Sequence, residues 1–81
     1  MIADIDDLMR IVGRHIRIAR EEQQMTQEAL AKRVGAFNAQ VISKYEKGHV
    51  MPENSRLIKI AIVLNRDLAW FFESDQNGRA T

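Results

Sequence analysis

The chain of 81 residues contains no cysteine and a single proline, and it has no long apolar run. Without thiols it can form neither a disulfide framework nor a thiolate metal site, so hydrophobic packing or a partner subunit must stabilise it. No apolar stretch approaches the roughly 18 residues of a membrane span, and the acidic start MIADIDDLMR is unlike a secretory signal. We therefore expect a soluble, cytoplasmic protein in which residues 1–81 form one domain with one small core.

The residue patterns that catalysis and metal binding require are also missing. His15 and His49 are the only histidines, they are far apart in sequence, and no acidic cluster accompanies either. We expect no metal site, and we expect His15 on a helix surface. The three serines lack a glycine-flanked nucleophile turn, and the sequence has no phosphate-binding loop. The chain is therefore not expected to be an enzyme or to need a cofactor or small-molecule ligand.

Charge is distributed unevenly, although the net charge is only +1. Residues 32–66 carry seven Lys or Arg against Glu46 and Glu53, which gives this stretch a local charge of +5. Such a stretch is either a solvated face or a surface that faces phosphates. Charge alone leaves both readings open.

Apolar periodicity predicts helices throughout the chain and no strands. Leu8, Val12, Ile16 and Ala19 recur at spacings of four and three, which predicts a first helix over about 6–23. Thr26 is a good N-cap for a second helix over about 27–34.

Three further helices follow. Gly35 ends the second helix, and Asn38 is a strong N-cap for a third over about 39–47. A fourth apolar stripe ends at Asn65, and Asp67 precedes a last helix, LAWFFES, in which Leu68 and Phe71 share a face. The fourth stripe consists of Leu57, Ile60, Ala61 and Leu64. The segment 74–81, SDQNGRAT, has the composition of a flexible tail.

The second and third predicted helices are short, and a tight turn joins them. Two such helices cross steeply, so the first braces the second and leaves the outer face of the second in solvent. Ile42 and Tyr45 fall on the core side of the third helix. The outward side then carries Ala39, Gln40, Ser43, Lys44 and Lys47. An amide that can bridge adenine and an ammonium that can approach guanine or phosphate suit the DNA major groove.

At these residues the sequence resembles the phage repressor and Cro class of helix-turn-helix proteins, the XRE family. The matching segments are TQEALAKRVG, SKYEKG, the proline at 52 and LAWFF, and the resemblance covers about residues 10–72. It implies a compact, all-α, five-helix lambda-repressor-like domain with its DNA-binding motif at about 27–47. It also implies a sequence-specific transcriptional regulator, most simply a dimeric repressor that reads a two-fold symmetric operator in double-stranded DNA.

The turn departs from the family pattern by one residue. Family members usually have ten residues from the turn glycine to the glutamate of SKYE, whereas Gly35 to Glu46 spans eleven. If the extra residue lies near Ala36, Phe37 takes the apolar turn position and Asn38 is the N-cap. The other register would bury Val41 and place Phe37 at the cap, where it has no oxygen to offer. We prefer the first register because capping and core periodicity agree in it.

In that register the resemblance assigns roles to specific residues. The base-reading positions are Ala39, Gln40, Val41, Ser43 and Lys44. The positions that contact the DNA backbone are Gln27, Asn38, Lys47 and His49. Arg20 and Glu46 match an ion pair that joins the first and third helices in this family and has a structural role.

The aromatic pair at Trp70 and Phe72 leads to two interpretations of the last helix. Both side chains fall outside its core face, so we expect exposed aromatic area there and favour a homodimer interface. The alternative function is a protein-interaction module on the same fold, such as an antitoxin or a partner-docking subunit. The two functions are separable, because DNA binding weakens steeply as salt rises and apolar protein binding does not.

Overall fold

The computed structural model describes residues 4–74, and short turns join its helices. The elements are α1 (Ile5–Glu22), α2 (Gln27–Val34), α3 (Ala39–Glu46), α4 (Asn54–Leu64) and a 3-10 helix (Leu68–Phe72). Residues 4–74 contain no strand, which confirms the all-α prediction. Residues 75–81, most of the predicted tail, lie outside the described part. Within the described part, no helix combines the length and the apolar character needed to cross a membrane.

The predicted caps set the helix boundaries. The Thr26 hydroxyl accepts a hydrogen bond from the Ala29 amide (3.0 Å), so α2 begins where expected. Asn65 ends α4, also as expected, and it adopts a left-handed conformation with φ of 59°. Helix α1 begins one residue earlier than predicted, because the Asp4 carboxylate accepts from the Asp7 amide and provides an N-cap.

One core joins all five elements. The buried hydrophobic residues are Val12, Ile16, Ala19, Leu30, Ala31, Val34, Ile42, Tyr45, Leu57, Ile60, Ala61, Leu64 and Phe71. They include every α4 position predicted from periodicity and all those of α1 except Leu8, which packs at their margin. At about 25 cal/mol per Å² of apolar area removed from water, this core is the main source of stability.

The last element differs from the predicted α-helix. Residues 68–72 form a 3-10 helix, and the Asp67 side chain makes no capping hydrogen bond. Phe71 is fully buried, as predicted, but Leu68 is 43% exposed, so its assignment to the core was wrong. The 3-10 helix is only five residues long. Phe71 lies in the turn that enters the core, and Leu68 lies one turn earlier.

His15 is buried, and the prediction that it lies on the surface was wrong. Its side chain is folded back on α1, where Nδ1 donates to the Ile11 carbonyl oxygen (2.7 Å). The Trp70 ring meets the imidazole edge to face at a centroid distance of 4.7 Å. The guanidinium of Arg66 lies over the same indole at 4.1 Å. Packing of the 3-10 helix on α1 therefore buries a residue whose local pattern looked exposed.

A glycine allows α1 and α3 to cross at backbone contact. A Cβ added at Gly13 would lie 2.1 Å from the Tyr45 carbonyl oxygen, far inside van der Waals contact. No residue with a side chain fits there without moving one helix. This crossing fixes the position of the C-terminal half of α3 and so the direction in which its outer face points.

Candidate nucleic-acid interface

The turn between α2 and α3 accommodates its additional residue by a regular helix end. Gly35 adopts φ of 76°, a conformation that glycine reaches at least cost, and the Ala36 amide donates back to the Ala31 carbonyl (2.9 Å). Ala36 packs against the core. Phe37 does not, because it is 93% exposed. Its predicted apolar packing in the turn was wrong: Ala36 fills the space beside the core and the next residue points outward.

The preferred register of α3 is confirmed. The Asn38 carboxamide oxygen accepts from the amides of Gln40 (3.0 Å) and Val41 (3.3 Å), which makes Asn38 the N-cap. Ile42 is fully buried and Tyr45 nearly so. Val41 is only half-buried at the edge of the core, whereas the rejected register would have buried it.

The structure brings most of the predicted DNA-facing residues together. One outward depression of about 280 Å³ is lined by Gln40, Ser43, Lys44, Lys47 and His49. Gln40, Lys44, Lys47 and His49 are exposed, while Ser43 is half-buried. Ala39 and Val41 are half-buried and lie outside this set. Ala39 instead lines a second depression beside the α2–α3 turn.

The charge of this surface is positive, although α3 contains a glutamate. The first turn of α3 has no acidic residue, and Lys44 lies in the last turn. Glu46 is the only acid of the helix, and it is turned inward to a buried arginine. The outward side of α3 therefore offers donors and positive charge to a ligand.

Arg20 and Glu46 form the predicted ion pair between α1 and α3. Arg20 Nε and Nη2 donate to the two carboxylate oxygens at 2.6 and 3.1 Å, and only 11% and 5% of the two side chains is exposed. Arg20 also donates to the Met25 carbonyl oxygen (2.7 Å). The hydrogen bond to Glu46 raises the pKa of Arg20 against the opposing effect of burial, and attraction to Glu46 and Glu21 adds to the rise. The guanidinium is therefore charged and bidentate.

Gln27 belongs to the same network. Its Nε2 donates to Glu46 Oε1 (3.0 Å), so the side chain that the resemblance placed near a DNA phosphate also holds the end of α3. Gln27 lines a third depression of about 180 Å³ together with Arg17, Arg20, Ser43, Glu46 and Lys47. The Gln27 side chain therefore forms a hydrogen bond between α2 and α3 and also lines the outer surface.

Arg17 is a candidate that sequence reasoning missed. It lies on α1 one turn before Arg20, pairs with Glu21 through Nε (3.2 Å), and remains largely exposed beside Lys47 in the third depression. Its spacing of three from Arg20 was the available signal, since residues at i and i+3 share a helix face. This spacing alone could not identify Arg17 as a site residue, because only the structure shows that α3 crosses α1 at this point.

The histidines and acids do not form a metal site in the described region. Across residues 4–74, no three His, Cys, Asp or Glu side chains are grouped so that they could hold an ion. His15 lies in the core and His49 at the outer depression, so the two lie in different environments.

Comparison with known proteins agrees with this geometry. The sequence model of the helix-turn-helix family matches residues 16–71, which include α2, the turn and α3. Two proteins named as uncharacterized HTH-type transcriptional regulators, from Sinorhizobium medicae (strain WSM419) and Rhizobium meliloti (strain 1021), are each 42% identical over 62 residues. The match covers 76% of this chain but 44% of each relative, so the chain spans less than half of their length. Because the family model matches more than half of its residues, including α2, the turn and α3, the chain belongs to the helix-turn-helix family.

Proposed function

We propose that the protein is a sequence-specific DNA-binding transcriptional regulator that reads DNA through the major groove with α3. One observation carries this proposal: the polar and basic side chains of α3 and the following turn line a single outward depression, while Ile42 and Tyr45 bury the opposite side of the helix. A helix presented in this way fits the major groove, where each base pair displays a distinct pattern of donors and acceptors. The helix-turn-helix family is not enzymatic, so catalysis is no part of this function.

The side chains suggest a division between base reading and backbone contact. Gln40 is exposed in the first turn of α3, where its amide is suited to pair with adenine N6 and N7. Lys44 lies one turn later and suits guanine or phosphate, and half-buried Ser43 lies between them. Ala39 and Val41 complete the base-reading set as apolar neighbours that allow close approach.

Backbone contacts would come from the edges of the same surface. Lys47 and His49 follow α3, and Gln27 begins α2. Asn38 caps α3 and lies at the other edge. Arg17 joins this set because it lines one depression with Gln27 and Lys47. Phosphate contacts from such residues supply affinity and orientation without reading sequence.

Regulation as a dimeric repressor is the simplest form of this function. A two-fold dimer places its two recognition helices about 34 Å apart, one turn of DNA, and promoter occupancy then blocks transcription. Trp70 and Phe72 are half-buried and pack within the chain, so they leave only part of their area for a subunit contact. Ile58 (45%), Ile62 (72%) and Leu68 (43%) are more exposed, and we add them to the proposed interface.

These exposed apolar side chains also favour a second candidate, a protein-interaction module on the same fold. Ile58 and Ile62 are four residues apart on α4 and therefore share a face. A protein partner covering that face would bind through apolar area, and its affinity would change little with salt. DNA binding by α3 would lose affinity steeply as salt rises.

A pair of titrations for each variant tests the proposed division of labour. A duplex selected from random DNA by the wild-type protein and a scrambled duplex are titrated across several salt concentrations. Gln40→Ala removes a contact worth about 1 to 3 kcal/mol of discrimination, so it should weaken binding to the selected duplex and barely change binding to the scrambled one. Lys47→Ala should weaken both alike and reduce the magnitude of the salt slope by about one.

Lys59→Ala is the matched control, because Lys59 is an exposed lysine of α4 outside the proposed surface. Its salt slope should equal that of the wild type. If Gln40→Ala lowers both affinities equally, Gln40 does not read a base, and Lys44 and Ser43 become the leading candidates for base reading. Failure of the wild-type protein to enrich any sequence from random DNA would refute the proposed function.

A further inference from the structure

We propose that Phe37 is a nonpolar reader of DNA, which contacts the 5-methyl group of a thymine next to the bases that α3 reads. The inference rests on the proposed function and adds a specificity-determining residue that precedes the recognition helix.

The exposure of Phe37 has no explanation within the fold. Its side chain is 93% exposed, whereas Phe71 is fully buried and Trp70 and Phe72 are half-buried. An aromatic ring that stays in water contributes no burial energy to folding. The residue is therefore available for a contact outside the chain.

The backbone aims Phe37 at the edge of the proposed DNA surface. It is the residue immediately before the N-cap Asn38, and the left-handed Gly35 together with core-packed Ala36 turns it outward. With Ala39 and Gln40 it lines a depression of about 420 Å³, whose other wall includes Glu28 and Lys32 of α2. Since the N-terminal residues of a recognition helix are those that contact base edges, Phe37 lies on the side of α3 that meets the groove.

The surroundings select DNA over an apolar protein partner. Lys32 and Arg33 are exposed in the last turn of α2, and Lys44 is exposed on α3. Of these cations, Lys32 lines the depression of Phe37, where it pairs with Glu28 (3.9 Å), and Gln40 lines both this depression and the one that contains Lys44. A ring that adjoins this basic surface suits a polyanion that carries apolar groups on its surface. In the major groove the apolar group is the thymine methyl, and phenylalanine is among the side chains that contact it.

The test compares thymine with deoxyuridine, which lacks only the methyl group. The probe is the duplex that the wild-type protein selects from random DNA, with each thymine replaced in turn by deoxyuridine at both symmetric positions. At one thymine position, the wild-type protein should lose about fourfold in affinity per half-site, the effect of one methyl group removed from water. Phe37→Ala should bind the thymine duplex more weakly by a similar factor and should bind both duplexes equally. Phe37→Leu should retain part of the preference.

Controls separate this contact from folding and from general affinity. Because Phe37 is exposed, Phe37→Ala should keep the wild-type helical content by circular dichroism. Ile5→Ala truncates another exposed apolar side chain, at the start of α1, and should keep the full preference for thymine.

Two results would overturn the inference while leaving the proposed function intact. One is a wild-type protein that selects a sequence but shows no thymine preference at any position. The other is a Phe37→Ala variant that retains the wild-type preference, in which case the ring faces a protein or solvent. If the wild-type protein selects no sequence at all, the proposed function fails and this inference fails with it.

Discussion

Removal of one partner of the Arg20–Glu46 pair should cost a large share of the stability of the fold. In Glu46→Leu, the guanidinium loses both carboxylate bonds and keeps the Met25 carbonyl (2.7 Å) and the distant Glu21 carboxylate (3.9 Å). Leaving a buried charge unpaired costs about 3 to 5 kcal/mol. A domain of this size has a free energy of unfolding of about 4 to 12 kcal/mol, so Glu46→Leu should be near the limit of folding.

The double variant distinguishes pairing from packing. The double variant Arg20→Met/Glu46→Leu contains neither charge, because apolar side chains of similar volume replace both. Replacing a buried ion pair in this way is often neutral or stabilising. We expect the double variant to be more stable than either single variant. Urea unfolding of all four proteins, followed by circular dichroism at one protein concentration, gives the coupling energy as a double-mutant cycle.

The exposed pair on the same helix is the control. Arg17 and Glu21 remain 65% and 55% exposed at 3.2 Å, so Arg17→Ala should change stability by less than about 1 kcal/mol. A stabilising role of the buried pair is refuted if Glu46→Leu lowers the free energy of unfolding no more than Arg17→Ala does. It is equally refuted if the losses of the two single variants simply add in the double variant.

The remaining predictions concern the crossing of α1 and α3, the turn and the proposed subunit contact. Gly13→Ala would place its Cβ 2.1 Å from the Tyr45 carbonyl oxygen, so it should lower the urea midpoint more than any exposed Gly→Ala change would, and an unchanged midpoint would contradict the close crossing. Deletion of Ala36 restores the usual family spacing and should leave the circular dichroism spectrum nearly intact, whereas loss of helix would show that the turn requires the residue. Replacing both Ile58 and Ile62 by serine should yield folded monomer in sedimentation and weaker binding to the selected duplex. If this double variant stays dimeric, Ile58 and Ile62 do not form the interface, and Trp70 and Phe72 become the leading candidates.

The sequence predicted the architecture well because the relevant signals are local. Apolar spacing identified the core faces of α1, α3 and α4, and hydrogen bonding by Thr26 and Asn38 fixed two helix starts. The choice of register in α3 also followed from local chemistry, since only Asn38 offers an oxygen at the cap. Even the Arg20–Glu46 pair was predictable, although through family resemblance and not through spacing.

The errors arose where burial depends on how the elements pack against one another and not on a local pattern. His15 looked exposed on its own helix, but Trp70 and the 3-10 helix cover it from the other end of the chain. Phe37 looked like a packed turn residue, but Ala36 occupies the space beside the core. Leu68 shares the period of Phe71, yet it remains 43% exposed.

What the sequence by itself determined is therefore the helices, their caps, their buried sides and the motif that presents α3. Periodicity and capping are properties of a few neighbouring residues, and these do not depend on the rest of the fold. Only the tertiary structure decided that Arg17 lies beside Lys47, that Gln27 binds Glu46, and that Phe37 projects at the edge of the candidate site. Those outcomes depend on how the elements pack: α1 crosses α3 at backbone contact between Gly13 and the Tyr45 carbonyl, and Ala36 takes the space beside the core next to Phe37. No local pattern records either contact.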